Sequence, residues 1–111
     1  MVVSVATRDG VFRALSDRTR RDVVAHLTRC PASVSELAQP FDMALPSFMQ
    51  HLRVLESSGL VRSTKTGRVR TYHLVAKRLQ VAEHWLAEQR GLWERRMDRF
   101  ERYANSMDDE Q

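Results

Sequence analysis

The chain has 111 residues, 42% of them hydrophobic and 29% charged, which is typical of one folded domain and excludes a disordered segment. Its single cysteine, Cys30, excludes an internal disulfide, and with no membrane span or secretory signal visible we expect a cytoplasmic protein without a membrane partner. The net charge of +4 is uneven, with 13 basic and 6 acidic residues in 1–78 but 5 and 8 in 79–111, so the first part suits an anionic partner.

The first 40 residues predict three short helices. The apolar spacing in Val11–Leu15 indicates an amphipathic helix. Asp17 is a good N-cap for a second helix, which Pro31 ends. Ser33 and Glu36 have the spacing of a capping box and open a third helix.

A fourth helix and a hairpin are predicted next. Pro46 suits the first turn of this helix, and Gly59 suits its C-terminal end. Its buried stripe is predicted at i, i+4 and i+7, namely Phe48, Leu52 and Leu55. The β-prone runs 60–64 and 69–74 then flank Gly67, which predicts a hairpin with a basic tip.

The last part of the chain predicts a long helix from about Lys77 to Ala104. An apolar stripe recurs there at three- and four-residue steps: Leu79, Ala82, Leu86, Trp93, Met97, Phe100 and Ala104. Gln89 and Gly91 interrupt the stripe, so either a bend or a second helix is open at that point. We expect residues 107–111 to be frayed.

The predicted fold class is therefore mainly α with a small β-hairpin, in the order of a winged helix-turn-helix. We assign residues 1–111 to one such domain, with 10–76 as a DNA-binding core and 77–105 as a C-terminal helix.

In this fold the fourth helix would enter the major groove of double-stranded DNA, with its outward face free. We predict that Gln50 contacts a base, because its amide can both donate to and accept from adenine. We predict that Arg53 contacts the DNA backbone. Ser47 either bonds a base or phosphate or only allows a close helix crossing. His51 either donates to a phosphate or packs at the helix boundary. Met49, also predicted to point outward, either contacts a thymine methyl or contributes little.

The hairpin concentrates basic side chains, at Arg62, Lys65, Arg68 and Arg70. Such a run is often only a solvated face. Directly after a groove-fitting helix, however, it favours a wing that contacts either phosphates or the minor groove through Lys65, Arg68 and Arg70.

Several motifs resemble those of the ArsR/SmtB family of repressors. They are LSDRTRR at 15–21, ELA at 36–38, QHLRVLESSGLV at 50–61 and the GR…Y-x-L hairpin at 67–74, and the resemblance spans residues 11–74. It implies a homodimer that binds an inverted-repeat operator, with the first and last helices as dimer interface. On this chain that would make 77–105 a C-terminal dimerisation helix, with an interface that would include Phe12, Leu86, Trp93, Met97 and Phe100.

The resemblance also raises metal sensing, which the residues do not favour. Thiolate sensing in the third-helix region needs paired cysteines, and segment 36–40 has none, while the last helix offers only Glu83 and His84. We therefore expect the subset that lacks metal ligands, with no metal and no cofactor, and interpret Cys30 as a small, partly buried hydrophobic residue.

The predicted function is a metal-independent repressor, and we expect no enzymatic activity because no catalytic motif occurs. Two other interpretations stay open: a winged-helix protein-interaction module without DNA binding, favoured by the apolar Leu45 and Met49, and a metal-sensing repressor. The aromatic residues of the last helix either line a pocket for an unknown small-molecule effector or form dimer core.

Overall fold

In the computed structural model, which describes residues 3–109, five helices surround a small sheet. The elements in chain order are α1 (Val5–Leu15), α2 (Arg18–Arg29), β1 (Ala32–Ser33), α3 (Val34–Ala38), α4 (Leu45–Ser57), β2 (Val61–Thr66), β3 (Val69–Leu74) and α5 (Ala76–Asp109). This order confirms the mainly α class and the winged helix-turn-helix plan.

The helices α2 and α3 begin where their capping residues predicted. The Asp17 side chain accepts a hydrogen bond from the backbone N–H of Arg20 at 3.1 Å. At α3, the Ser33 hydroxyl accepts from the Glu36 backbone N–H while the Glu36 carboxylate accepts from the Ser33 backbone N–H, so both halves of the capping box form. Each cap satisfies backbone donors that the first helical turn leaves free.

The helix α4 lacks a side-chain cap at its N-terminus but has backbone capping hydrogen bonds at its C-terminus. Ala44 at its N-cap offers no side-chain hydrogen bond, as its methyl group requires. At the other end Gly59 adopts φ +80°, and its N–H donates to the carbonyl oxygen of Glu56 while the N–H of Leu60 donates to that of Leu55. These two bonds form a Schellman motif, which turns the chain sharply from α4 into β2.

The core lies between α1, α2, α4 and the sheet. It contains the predicted stripe of α4 together with residues from every other helix and from each strand: Val11, Ala14, Val23, Val24, Leu27, Ala32, Leu37, Phe48, Leu52, Leu55, Leu60, Val61, Tyr72 and Ala82. Among the described residues no charged or polar side chain is buried with them. The opposite face of α4 is therefore free of the core.

The sheet has three antiparallel strands in the order β1-β3-β2. The short strand β1, in which Ala32 pairs with Tyr72, was not predicted. At the other edge the predicted hairpin is confirmed, with Gly67 at φ +64° and Arg68 at a negative φ. A positive φ at the first turn residue alone is the type II′ arrangement, which suits the twist of a two-residue hairpin. The sheet therefore projects the β2–β3 hairpin away from the helices.

One continuous helix, α5, forms the last 34 described residues and is about 51 Å long at 1.5 Å per residue. No second helix starts at Gln89 or Gly91. The fraying expected from residue 107 onward is wrong for 107–109, which are helical, and it lies outside the described residues for 110 and 111. Every side chain from Leu92 to Asp108 is exposed, so this half of α5 extends beyond the core.

Two further findings concern residues outside the core. Cys30 is exposed, which corrects the expectation of a partly buried residue. It is the C-cap of α2 with extended backbone dihedrals (φ −165°, ψ 152°), and the following Pro31 leads the chain away from the helix. None of the described helices is both long and apolar enough to span a membrane.

Candidate nucleic-acid interface

The face of α4 opposite the core carries most of the predicted contact residues. Ser47, Gln50 and Arg53 follow each other at three-residue steps and are exposed. This spacing places them on neighbouring turns of one helix face, where they lie in reach of a common ligand.

Met49 departs from the outward orientation that was predicted for it. Its side chain is half-buried and packs against the hydrophobic core. The cause is angular: Met49 is one residue after the buried Phe48 and three before the buried Leu52, so it lies beside the core-facing stripe. Leu45 is exposed at 56% and remains an apolar residue at the start of the free face.

Gln50 and Arg53 are bonded to each other. Nη2 of Arg53 donates to Oε1 of Gln50 at 2.7 Å. The amide nitrogen of Gln50 keeps its two donors, and its oxygen, which has two lone pairs, keeps one acceptor position beside the guanidinium. The pair therefore leaves Gln50 with both a donor and an acceptor, the two functions that a bidentate contact with adenine uses.

His51 lies at the junction of α4 with α1 and α2. Its Nδ1 is 3.0 Å from Nη1 of Arg20 and 3.6 Å from Oδ2 of Asp17. Partial burial raises the pKa of Asp17, but the hydrogen bond from the Arg20 backbone and the positive charges nearby outweigh it, so that this pKa lies below its usual value. Both packing and a free outer nitrogen are thus compatible with the position of His51.

Arg20 is the site residue that the sequence reasoning missed. Its guanidinium also donates to the carbonyl oxygens of Arg13 and Ala14 at the end of α1. Periodicity gives no signal for this role, because Arg20 and His51 are 31 positions apart and only the fold brings them together.

The β2–β3 hairpin, residues 61–74, forms a basic projection beside α4. Lys65, Arg68 and Arg70 are all exposed, and within the described chain no carboxylate lies within 4.0 Å of them. Nη1 of Arg70 donates to Oγ of Ser63, and this hydroxyl donates to the Glu56 carboxylate, each at 2.8 Å. The chain of hydrogen bonds ties the hairpin to α4, so the two exposed surfaces keep a fixed relation.

The predicted dimer-interface residues divide into two groups. The ring of Phe12 on α1 is half-buried and meets that of Trp85 on α5 edge to face, with centroids 5.5 Å apart. The remaining four are exposed and lie on α5: Leu86, Trp93, Met97 and Phe100. Leu92, Tyr103 and Met107, which the prediction left out of the interface, are exposed as well.

Comparison with solved structures places this arrangement among known regulators. The crystal structure of an ArsR family transcriptional regulator is 53% identical, with a TM-score of 0.79, and the match covers 85% of this chain and 97% of that one. An ArsR-like transcriptional regulator from Rhodococcus sp. RHA1 is 32% identical, with a TM-score of 0.76 and coverage of 89% and 93%. Fold and surface together define a winged helix-turn-helix transcriptional regulator. The chain belongs to the ArsR family, as its motifs predicted.

Sequence comparison agrees with this assignment. A helix-turn-helix domain family matches residues 15–64. The transcriptional regulator Rv2034 of Mycobacterium tuberculosis is 39% identical over 66 residues, 60% of this chain, and the match spans only 62% of that relative's length. The transcriptional repressor SdpR of Bacillus subtilis is 28% identical over 78 residues, covering 70% of this chain and 87% of SdpR.

Proposed function

We infer that this protein is a sequence-specific DNA-binding transcriptional repressor that acts as a homodimer on an inverted-repeat operator. The observation that carries the proposal is the fixed pairing of two exposed surfaces, the polar face of α4 and the unpaired cations of the hairpin. We call α4 the recognition helix and the β2–β3 hairpin the wing from here on.

The geometry of these two surfaces suits duplex DNA. The recognition helix has one face free of the core, and a helix about 10–12 Å in diameter fits a major groove about 12 Å wide. Ser47 and Gln50 on this face are the base-reading candidates. Arg53 and the wing residues Lys65, Arg68 and Arg70 are the candidates for phosphate contacts, which fix the register of the protein without reading sequence.

The dimer is proposed from the second half of α5. Trp93 is 57% and Phe100 66% exposed, and they continue a stripe with Leu86 and Met97 that the protomer itself leaves uncovered. Contiguous apolar surface of this kind usually marks an interface. In this proposal 77–105 is the dimerisation helix, 10–76 the DNA-binding core, and 1–111 one domain. SdpR carries the name of a repressor, which favours repression over activation.

We propose a metal-independent regulator. Within residues 3–109 no three side chains of His, Cys, Asp or Glu come together as a metal site would need. The exposed Cys30 has no second cysteine in its chain, and His84 is engaged by Glu88 at 2.8 Å. Elemental analysis of the purified dimer tests this point, and a stoichiometric content of zinc or copper would favour the metal-sensing alternative.

A small-molecule effector is also part of the proposal. An open groove of about 370 Å³ lies between α1 and α5, with Arg8, Lys77 and Trp85 in its lining. The Arg8 guanidinium lies 6.0 Å from the centre of the Trp85 ring. The carboxylate of Glu88 also lines the groove but is paired with His84 at 2.8 Å, so two cations and an aromatic ring remain for a ligand. These groups suit an aromatic carboxylate. A panel of benzoates added to the protein–DNA complex tests it, with release of DNA as the expected result.

The experiment for the main proposal is selection of binding sites from random duplex DNA by the purified protein. We expect two half-sites in inverted repeat, with centres about one helical turn, or 10 base pairs, apart. Gln50→Ala should relax the preference at one position of each half-site. Reversing charge at Arg68 and Arg70 should weaken binding to all duplexes and lower the dependence on salt.

The competing interpretation, a protein-interaction module, predicts the opposite outcome. Such a module would select no duplex, and the charge reversal would leave its partner bound. Recovery of no enriched sequence from a folded, dimeric sample would therefore contradict the repressor. A cytoplasmic location follows from the proposed access to DNA.

A further inference from the structure

Arg20 on α2 connects the end of α1 to the recognition helix. Its Nε donates to the carbonyl oxygen of Ala14 at 2.8 Å and its Nη2 to that of Arg13 at 3.1 Å. Carbonyl groups at the C-terminal end of a helix lack partners within the helix and attract cations. The guanidinium is therefore held from one side, and its Nη1 points at Nδ1 of His51 at 3.0 Å.

This contact determines where His51 carries its proton. A guanidinium is always a donor and never an acceptor in a protein, so Nδ1 must offer its lone pair. A neutral imidazole has one acceptor and one donor nitrogen, which leaves the proton on Nε2. Oδ2 of Asp17, 3.6 Å from Nδ1, is too far to compete for a hydrogen bond and accepts instead from the backbone N–H of Arg20.

The outer nitrogen of His51 faces solvent. The side chain is 23% exposed, and in the part of the chain that the structure describes Nε2 has no hydrogen-bond partner. The same residues include no buried side-chain nitrogen or oxygen without a partner, so Nε2 must be accessible. The imidazole of His51 therefore contacts Arg20 through Nδ1, and its Nε2 is free to bind a ligand.

We propose that Arg20 is a positioning residue that holds His51 as the neutral Nε2–H tautomer, so that the recognition helix presents an uncharged donor to a DNA phosphate. The inference rests on the proposed DNA binding. It adds a specific consequence: a neutral donor strengthens binding without releasing a counterion, in contrast to the cations of the wing.

The tautomer is tested first, on the free protein and without DNA. Nitrogen-15 NMR of the imidazole at a pH where the ring is neutral should show a protonated Nε2 and an unprotonated Nδ1 for His51. A protonated Nδ1, or an even mixture of tautomers, would overturn the proposal. In Arg20→Met the preference should shift towards a mixture, and an unchanged tautomer in the folded variant would remove Arg20 from its role.

A matched pair of variants at His51 tests the donor. Asn places its amide oxygen near the position of Nδ1 and can still accept from Arg20, but it has no group at the position of Nε2. Gln reaches the outer position with an N–H donor. We expect His51→Asn to bind the selected operator about tenfold more weakly, since hydrogen bonds to charged groups are strong, and His51→Gln to stay within about threefold of wild type.

The salt dependence separates a neutral donor from a cation. The slope of log affinity against log salt should be the same for His51→Asn and wild type, whereas loss of a charged contact lowers it by about 0.9 per phosphate. A smaller slope, or wild-type affinity in His51→Asn, would contradict the proposal. Failure of the wild-type protein to bind any duplex would instead overturn the proposed function and the phosphate contact with it, while the NMR result still decides the tautomer.

Discussion

Lys65 and Arg70 lie directly opposite each other across the β2–β3 ladder, so the wing pairs two positive side chains at one cross-strand position. Like charges in this position destabilise a hairpin. The hydrogen bond from Arg70 to Ser63 draws one of the two away from the tip but leaves both exposed. A bound polyanion would remove the repulsion, which agrees with a wing that contacts phosphates.

The first prediction is that one substitution in the wing stabilises the hairpin and weakens DNA binding. Lys65→Glu creates an opposite-charge pair with Arg70 and should raise the free energy of unfolding by about 0.5 kcal/mol. The same change should weaken binding to every duplex, because it replaces an attractive charge by a repulsive one. Thermal unfolding and fluorescence titration at fixed salt measure the two effects. Arg29→Glu, an equal charge change at the end of α2, is the control and should leave affinity close to that of the wild type.

The second prediction concerns the acid sensitivity of the α2 cap. The pKa of Asp17 is lower in the folded protein than its usual value of 3.8. At pH values above 3.8 the ionised carboxylate therefore stabilises the folded protein, and this stabilisation is lost as the pH falls through the folded-state pKa. Asp17→Asn keeps a capping oxygen but does not titrate. Denaturant unfolding from pH 6 to pH 2 should show the wild type more stable than the variant at pH 6, with the difference shrinking below pH 4. If the unfolding free energies of the two proteins change with pH in the same way, the prediction is contradicted.

The third prediction compares two glycines. A Cβ at Gly59 would lie 2.8 Å from Nε of Arg78 and would sit on a backbone at φ +80°, whereas one at Gly10 would meet nothing within 4 Å. Gly59→Ala should therefore cost about 1–2 kcal/mol of unfolding free energy. Gly10→Ala, within α1, should instead add about 0.5–1 kcal/mol. Chemical denaturation measures both, and a loss of similar size in the two variants would argue against the strained turn after α4.

The fourth prediction concerns the exposed stripe of α5. Trp93→Ser removes a large apolar group from this stripe and should shift the sedimentation profile from dimer towards monomer. Arg95→Ser, two positions further and about 200° around the helix, should leave the dimer intact. If both variants sediment as the wild type does, the second half of α5 is not the interface.

The order of the elements was predictable because it depends on local signals. Asp17, Ser33 and Gly59 mark helix ends by interactions within a few residues, and the buried stripe of the recognition helix follows from its period. The strand β1 gave no such signal, since two residues carry no period and Ala32 becomes a strand residue only by pairing with Tyr72.

The details of the candidate site were less predictable, because they depend on tertiary contacts. Met49 packs partly against the core because it lies beside the stripe of Phe48 and Leu52, so the outward orientation predicted for it is wrong. The contact of Arg20 with His51 joins two helices that the chain separates by a third helix and a strand. Cys30 is exposed at the C-cap of α2, and the hydrophobic character of a cysteine does not predict that exposure.

The length of α5 has a consequence for how the protein would respond to its own abundance. Trp93 and Phe100 on this helix are exposed in the protomer and would be covered in the proposed dimer. The fraction of dimer then depends on the protomer concentration. At concentrations below the dissociation constant of the dimer, occupancy of the operator rises with the square of the protomer concentration, so a twofold dilution costs about fourfold in bound DNA. Repression by such a protein would begin at a threshold of expression rather than in proportion to it.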